Sequence, residues 1–281
     1  MLETLQIQKK CTPMAEKIAV LAGSGKLPAA VCRSILSKKN IPFLFRLEEE
    51  DLPVGLPDIN FQTTFSLFEL EPLFQTLSSE KIQHAVLIGK FHKERLFHKE
   101  TTDPISLMLL TNSANRNDME LFTSFLMYLH QQGILLHSQL EFLEEHLPPK
   151  GMYGVTPSEE ALADIEFGRQ LAEQCATMDI GQSVIVSNKT IIAIEAIEGT
   201  DACIKRAGVI TSGKAGVLCK MPRKNQDPRF DIPGFGAQTL KHLADQGASG
   251  ASIAYGQVLV TDPISELEDY CKQTGLFLDI R

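Results

Sequence analysis

Three carboxylates fall within seven residues in Ile194-Glu195-Ala196-Ile197-Glu198-Gly199-Thr200-Asp201. Carboxylate oxygens are the ligands that a hard ion such as Mg²⁺ selects. Acids this close repel one another unless a cation or basic partner sits among them. A solvated loop would also tolerate them, but Glu195 and Glu198 alternate with the apolar Ile194, Ala196 and Ile197, which favours a site over a plain surface.

A second cluster is Gln226-Asp227-Pro228-Arg229-Phe230-Asp231-Ile232-Pro233. Its two acids are four apart, with an arginine between them and two prolines stiffening the backbone. An aspartate there can ligate a metal or take a proton from water. Arg229 offers a planar fork suited to phosphate. An Asp-Pro turn with local charge pairing is the plainer alternative.

Between these clusters lies a run of positive charge. From Cys203 to Phe230 come Lys205, Arg206, Lys214, Lys220, Arg223, Lys224 and Arg229, against one acid, Asp227, in a chain of net charge −8. Cations flanked by carboxylates describe a site for phosphate and a divalent ion. A patch for anionic lipid headgroups is the other reading of the same charges.

A third feature is Ala22-Gly23-Ser24-Gly25-Lys26-Leu27-Pro28. Glycines after a strand let backbone approach a ligand, and a following helix points free N–H groups at an anion. The turn is neither G-x-G-x-x-G nor a Walker A loop, so a purely structural strand-to-helix turn stays open. His92 and His98 read as parts of a solvated loop, with phosphate or metal binding as the alternative. The other histidines share no spacing. Phe65, Leu67, Phe68, Leu70, Leu73, Phe74 and Leu77 form an apolar stripe of a kind that is more often core than acyl-chain pocket, and the sequence leaves both readings open.

The elements that must position these groups divide in two. Lys17–Leu21, Ile41–Phe45, Ile82–Ile88 and Ile134–His137 read as strands. Pro28 to about Lys39, Pro104–Leu110 and Asp118–Gln132 read as helices. Alternation of this kind predicts an α/β domain with a parallel sheet over residues 15–147. Three prolines and two glycines in Leu147–Ser158 predict a linker over 148–158. Thr156-Pro157-Ser158-Glu159 reads as a capping box with proline at the first helical position, opening a helix to about Thr177. Ser183–Val186 and Thr190–Glu195 then read as a hairpin. Gly216–Lys220, Ala251–Ala254 and Val258–Thr261 are further strands, and Gly236–Gln246 and Ile264–Thr274 are helices. Residues 159–281 are thus expected to be an α+β domain with a mixed sheet that carries the catalytic groups.

The chain has 281 residues, 43% of them hydrophobic and 22% charged, which suits one large or two ordinary globular domains. Its acidity argues against a general nucleic-acid binder. The six cysteines, Cys11, Cys32, Cys175, Cys203, Cys219 and Cys271, form no C-x-x-C pair, so they suit a reducing cytosol. No apolar run is long enough to span a bilayer, and residues 1–13 lack a signal peptide's apolar stretch. Met14, directly before the first strand, is a candidate start.

At these same residues the chain resembles the LpxI-type UDP-2,3-diacylglucosamine pyrophosphatases of lipid A synthesis. Met178-Asp179-Ile180-Gly181-Gln182-Ser183-Val184-Ile185-Val186 is similar to that family's D-[VI]-G-Q-[SA]-V-V-V segment. Glu195-Ala196-Ile197-Glu198-Gly199-Thr200-Asp201-Ala202 resembles its E-A-x-E-G-T-D-A core. Arg206-Ala207-Gly208 and Gly216-Val217-Leu218-Cys219-Lys220 follow in order. Gln226 to Pro233 resembles its Q-D-x-R-x-D-[LI]-P, and Ala22 to Pro28 its A-G-x-G-x-L-P opening. The departures are Gly89-Lys90-Phe91-His92-Lys93, Asn115-Arg116-Asn117-Asp118 and Ala254-Tyr255-Gly256.

The resemblance implies an N-terminal Rossmann-like domain and a C-terminal domain of unusual topology, with the lipid product held between them. It implies Mg²⁺-dependent hydrolysis of UDP-2,3-diacylglucosamine to 2,3-diacylglucosamine 1-phosphate (lipid X) and UMP, water attacking the sugar-side phosphorus. Asp227, Asp231, Arg229 and Lys220 are the expected catalytic residues. Asp227 or Asp231 would be the essential acid, the choice staying open. Gly23, Ser24, Gly25, Gln182, Thr200, Arg206 and Gln226 are expected at the substrate. Glu195, Glu198, Asp201 and Asp227 are expected at the metal. The expected protein is cytoplasmic, makes transient contact with the inner-membrane surface, and is compatible with homo-oligomers. Two other readings remain: a nucleotide-dependent oxidoreductase built on the first βα turn, and a non-catalytic nucleotide- or lipid-headgroup-binding regulator.

Overall fold

In the computed structural model, the described residues are 15–91, 101–112, 118–224, 226–230 and 232–281. His92, His98, Asn115, Arg116, Asn117, Cys11 and, among the expected catalytic residues, Asp231 lie outside them.

The N-terminal half is a parallel sheet built from β1 (Lys17–Ala22), β2 (Ile41–Leu47), β3 (Phe61–Phe65), β4 (His84–Ile88) and β5 (Leu135–Leu136). Their order is β3-β2-β1-β4-β5, every neighbour parallel. This is the doubly wound arrangement, with a switch point between β1 and β4 where the chain reverses its direction of travel across the sheet.

Helices cover both faces, as buried parallel strands require. On one face, α1 (Leu27–Ser37) and α5 (Leu140–Leu143) meet Val20, Ala22, Leu44, Val86 and Ile88 through Val31, Ile35, Phe142 and Leu143. On the other, α2 (Glu71–Ser79), α3 (Pro104–Asn112) and α4 (Asp118–Gln131) meet Ala19, Leu21, Phe43, Phe45 and Leu87. The apolar stripe is core: Phe65, Phe68, Leu70, Leu73, Phe74 and Leu77 are buried, and Leu67 packs on them. The stripe hides a strand end, a turn and α2, because its spacing follows neither period cleanly.

The C-terminal sheet has six strands in the order β6-β13-β11-β9-β7-β8. They are β6 (Gly151–Gly154), β7 (Ser183–Ser187), β8 (Thr190–Ile194), β9 (Gly216–Lys220), β11 (Ala248–Ile253) and β13 (Phe277–Ile280). The centre β13-β11-β9 is parallel, and β6, β7 and β8 join antiparallel. Residues 148–158, expected as a linker, therefore contain β6, which pairs with the last strand of the chain; the glycines that suggested a loop sit at its two ends.

On one face lies α6 (Glu159–Thr177), touching Val184, Val186, Val217 and Cys219. The alternate residues Ile185 and Leu218 face α7 (Gly199–Ile210), α8 (Ala237–Asp245) and α9 (Ile264–Thr274), as the two-residue period of a strand requires. The cap of α6 is Ser158, whose hydroxyl accepts the Ala161 N–H at 3.2 Å, so the helix starts at Glu159 and Pro157 lies outside it, two residues later than the expected box. Val258–Thr261 is not in the main sheet. There β12 (Leu259–Val260) pairs with β10 (Gly234–Phe235) in a separate two-stranded ribbon.

The halves pack together. Leu259 is buried among residues around α1, and Ile232 joins them. Phe230 stacks on Phe122 with ring centroids 4.3 Å apart. Gln139 donates its backbone N–H to the Pro228 carbonyl at 2.9 Å and its side-chain amide to the Phe230 carbonyl at 3.0 Å.

Candidate functional site

Antiparallel pairing gathers distant motifs at one edge of the C-terminal sheet. Ser183, first in β7, pairs with Lys220, last in β9. The Glu195 N–H, just past β8, donates to the Ser183 carbonyl at 2.9 Å, and the Met221 N–H to the Gln182 carbonyl at 2.9 Å. Gln182, Ser183, Glu195 and Lys220 thereby share an edge, and Gly199 at φ +81° starts α7 so that Thr200 points back at it.

Thr200 is the joint of this edge. Its Oγ1 accepts a hydrogen bond from Lys220 Nζ at 2.9 Å and donates to Glu195 Oε1 at 2.8 Å. Lys220 is only 7% exposed, and among the described residues its ammonium meets Thr200 alone. Glu195 Oε2 is buried without a partner. A buried ammonium with donors unspent is costly in isolation and favours an anion.

The neighbouring acids are already engaged. Arg206 Nη2 donates to Glu198 Oε1 at 2.6 Å and to the Ile194 carbonyl at 2.7 Å. Burial works to raise the Glu198 pKa, but hydrogen bonds from its own N–H, from Arg206 and from the Ala196 N–H prevail and hold it below the usual carboxylate range. Asp201 Oδ1 lies 3.1 Å from His242 Nδ1, within ion-pair distance but off the hydrogen-bonding direction.

The loop leaving β9 curls first and then crosses to the other domain. Arg223 pairs with Asp179 and its N–H donates to Gln226 Oε1 at 3.1 Å, while Gln226 Nε2 is buried and unpartnered. Arg229 clasps Asp227 through Nε, at 3.0 and 3.2 Å, and through Nη2, at 2.6 Å. The Arg229 bonds, outweighing burial, press the Asp227 pKa below its ordinary value, and the same bond raises that of Arg229. Arg229 also borders an open groove of about 340 Å³ with Leu126, Met127, His130 and Leu135 of the N-terminal domain.

Several expectations change here. No three histidines, cysteines, aspartates or glutamates come together as a metal-holding group among the described residues. Glu195, Glu198, Asp201 and Asp227 are thus not brought together as one ligand set: two are held by arginines, one faces His242, and Glu195 holds Thr200. As paired here the four do not form one shared Mg²⁺ ligand set, and no hydrogen bond or ion pair joins Asp227 to the other three. The positive island also divides. Lys214 precedes β9 while Lys220 ends it, Arg206 is spent on Glu198, and Lys205, Lys214 and Lys224 are exposed.

At the switch point, the Gly23 N–H donates to the Ile88 carbonyl at 2.9 Å, and Ser24 and Lys90 exchange backbone bonds of 3.1 and 2.9 Å. A Cβ at Gly23 would stand 2.2 Å from the Lys90 oxygen. Two N–H groups expected to cradle an anion are consumed by this bridge, which counts against the dinucleotide-binding oxidoreductase. Lys26 pairs instead with Asp262. Sequence reasoning passed over Asp262 and Gln139; their role is cross-domain, and a Thr-Asp-Pro-Ile helix-start pattern was the one local sign of the first.

A family model described as the LpxI N-terminal domain matches residues 17–146, and one described as the LpxI C-terminal domain matches residues 149–278. The chain is 27% identical over 268 residues to the UDP-2,3-diacylglucosamine pyrophosphatase LpxI of Caulobacter vibrioides, covering 88% of this chain and 91% of that protein. With both domain models met in order, and with the glycine turn, the Glu195–Asp201 segment and the Gln226–Phe230 loop all placed around the two sheets, the chain belongs to the LpxI family.

Proposed function

We propose that the protein hydrolyses the pyrophosphate of UDP-2,3-diacylglucosamine, releasing UMP and 2,3-diacylglucosamine 1-phosphate in lipid A biosynthesis. The observation that carries this reading is the match of both family models along the chain, with the similar Caulobacter protein bearing the name of that activity. The water oxygen bonds to the sugar-side phosphorus, the bridging P–O bond breaks, and the bridging oxygen leaves with UMP.

The side chains support distinct roles. Lys220 Nζ, buried beside Thr200, takes a diphosphate oxygen and stabilises charge that develops on it. Gln226 Nε2 and the Nη1 edge of Arg229, which the Asp227 clasp does not use, are further donors. Asp227, with its lowered pKa, is a weak base and suits orienting a water through a hydrogen bond better than removing its proton outright. Mg²⁺ remains part of the proposal as a requirement of the reaction, without a ligand set and without a step assigned to it.

No helix among the described residues is long and apolar enough to cross a membrane. The acyl chains of the substrate bring the protein to the cytoplasmic face of the membrane. Exposed Met178 and Ile180, on the turn after α6, and exposed Ile197, on the turn before α7, support that contact.

Incubation with UDP-2,3-diacylglucosamine, with and without EDTA, tests the reading by UMP release. Release that EDTA stops and added Mg²⁺ restores is expected. Binding without release points to the regulator, and release unaffected by EDTA removes the metal from the proposal.

A further inference from the structure

We propose that Glu195 and Thr200 are positioning residues for Lys220, forming a one-way hydrogen-bond relay that aims its ammonium at the diphosphate. The inference rests on the function proposed above and assigns Glu195 a task other than metal ligation.

The direction of the relay follows from donor counts. An ammonium can only donate, and a threonine hydroxyl has one proton. With Lys220 Nζ 2.9 Å away and Glu195 Oε1 2.8 Å away, Thr200 Oγ1 must accept from the first and give its proton to the second. The carboxylate polarises the hydroxyl, making it a better acceptor for the ammonium. Ser183 Oγ, 3.5 Å from the same Oγ1, is too distant to compete strongly.

Each member comes from a separate element. Lys220 ends β9, Thr200 sits in the first turn of α7, and Glu195 follows β8. Gly181 packs its backbone against the Glu195 carbonyl, where a Cβ would lie 2.0 Å away, so the carboxylate end of the relay is braced by the turn that also carries Gln182. Lys220 spends one N–H on Thr200 and sits in a buried edge, with its remaining N–H groups unspent. That is the arrangement of a cation held for an anionic ligand. Glu195 Oε2 is buried and unpartnered, which leaves it an acceptor for a proton donor brought by the ligand or its water.

Thr200→Val removes the joint while keeping its shape. It is expected to lower kcat/KM for UMP release by about 10- to 100-fold and to weaken calorimetric binding of inorganic pyrophosphate about 10-fold. Thr200→Ser should restore both to within about threefold, because it keeps the hydroxyl. Glu195→Gln retains an acceptor oxygen, and should keep most activity and the wild-type Mg²⁺ half-saturation; Glu195→Leu should behave like Thr200→Val. Thermal unfolding on every variant separates misfolding from loss of aim, and Glu195→Gln stays readable if Thr200→Val does not fold. Wild-type rates and pyrophosphate binding in folded Thr200→Val, or a tenfold rise in the Mg²⁺ needed by Glu195→Gln, would overturn the relay. Wild-type protein that releases no UMP, with pyrophosphate binding still weakened by Thr200→Val, would overturn the function and leave the relay standing.

Discussion

Lys26 in the glycine turn of the first domain forms an ion pair with Asp262 in the second, 236 residues later. The same carboxylate accepts the Ala237 N–H at 2.9 Å and the Thr261 hydroxyl at 2.7 Å. Asp262 therefore caps α8 from a distance and ties that helix to the turn after β1. Gly236, the residue before α8, leaves the space: a Cβ there would lie 1.9 Å from Thr261 Oγ1. Burial acts to raise the Asp262 pKa, but the bonds from Lys26, the Ala237 N–H and Thr261 outweigh it and leave it lowered.

Asp262→Ala is accordingly expected to destabilise the fold by about 2 kcal/mol, from the lost cap and the stranded donors. Lys26→Met should cost less, about 0.5 kcal/mol, because Lys26 is half exposed and screened. Denaturant titration of both variants checks the order; a larger loss for Lys26→Met than for Asp262→Ala contradicts it.

Acid should reveal the same group. A carboxylate whose folded pKa is lowered adds stability that is fully present above the unfolded value, 3.8 for Asp262, and is lost as pH falls below it through the folded value. Asp262→Asn should flatten the stability decline below pH 3.8. An unchanged acid slope in that variant would show that Asp262 is not a contributor.

Asp227 and Arg229 give a paired forecast for activity. Replacing Asp227 by Ala should lower kcat by about 100-fold or more, as for a residue that aligns the nucleophile. Asp231→Ala, assayed alongside, decides which acid is essential. Arg229→Met removes the main cause of the lowered Asp227 pKa, so the acid limb of its pH–rate profile should move to higher pH. Full UMP release by both folded aspartate variants would remove this loop from the chemistry.

Gly23→Ala drives a methyl into the Lys90 carbonyl at the bridge between the β1 and β4 turns. Overpacking of backbone against backbone should cost about 1–3 kcal/mol, seen as a fall of several degrees in Tm. A Tm equal to wild type would mean the two turns separate freely.

Thiol labelling tests the core. Cys32, Cys175, Cys203, Cys219 and Cys271 are buried, and burial pushes the Cys32, Cys203 and Cys219 thiols up to about 12. Since the thiolate is the reactive form, all five should resist iodoacetamide at pH 8 until the protein is denatured. Rapid native labelling at Cys219, which lies between α6 and the sheet, would contradict the packing there.

Much of the architecture was legible in local patterns. Apolar strands punctuated by glycine, such as Lys17–Leu21 before Gly23, announce a parallel sheet because both of its faces are covered. The β7–β8 hairpin was legible too, since Asn188 suits the positive φ that both it and Lys189 take in the tight turn. The two-residue strand β10 was not legible, because pairing with β12 across the fold creates it and no periodicity can show in two residues; Ile134–His137 and Val258–Thr261 read as strands and hold β5 and β12.

The candidate site was readable as residue types and motifs, and its partnerships were not. Composition and spacing alone pointed to the carboxylates, lysines and arginines of 195–201 and 220–231 as candidates, because those groups and their order are written in the chain. Which acid meets which cation was decided by the tertiary structure. Antiparallel pairing set Lys220 beside Thr200, and helix α7 turned Arg206 onto Glu198. The loop after β9 carried Asp227 and Arg229 across to the first domain. Hydrogen bonds and ion pairs act over about 3 Å, so charges close in sequence can have separate partners while residues hundreds apart, like Lys26 and Asp262, share one.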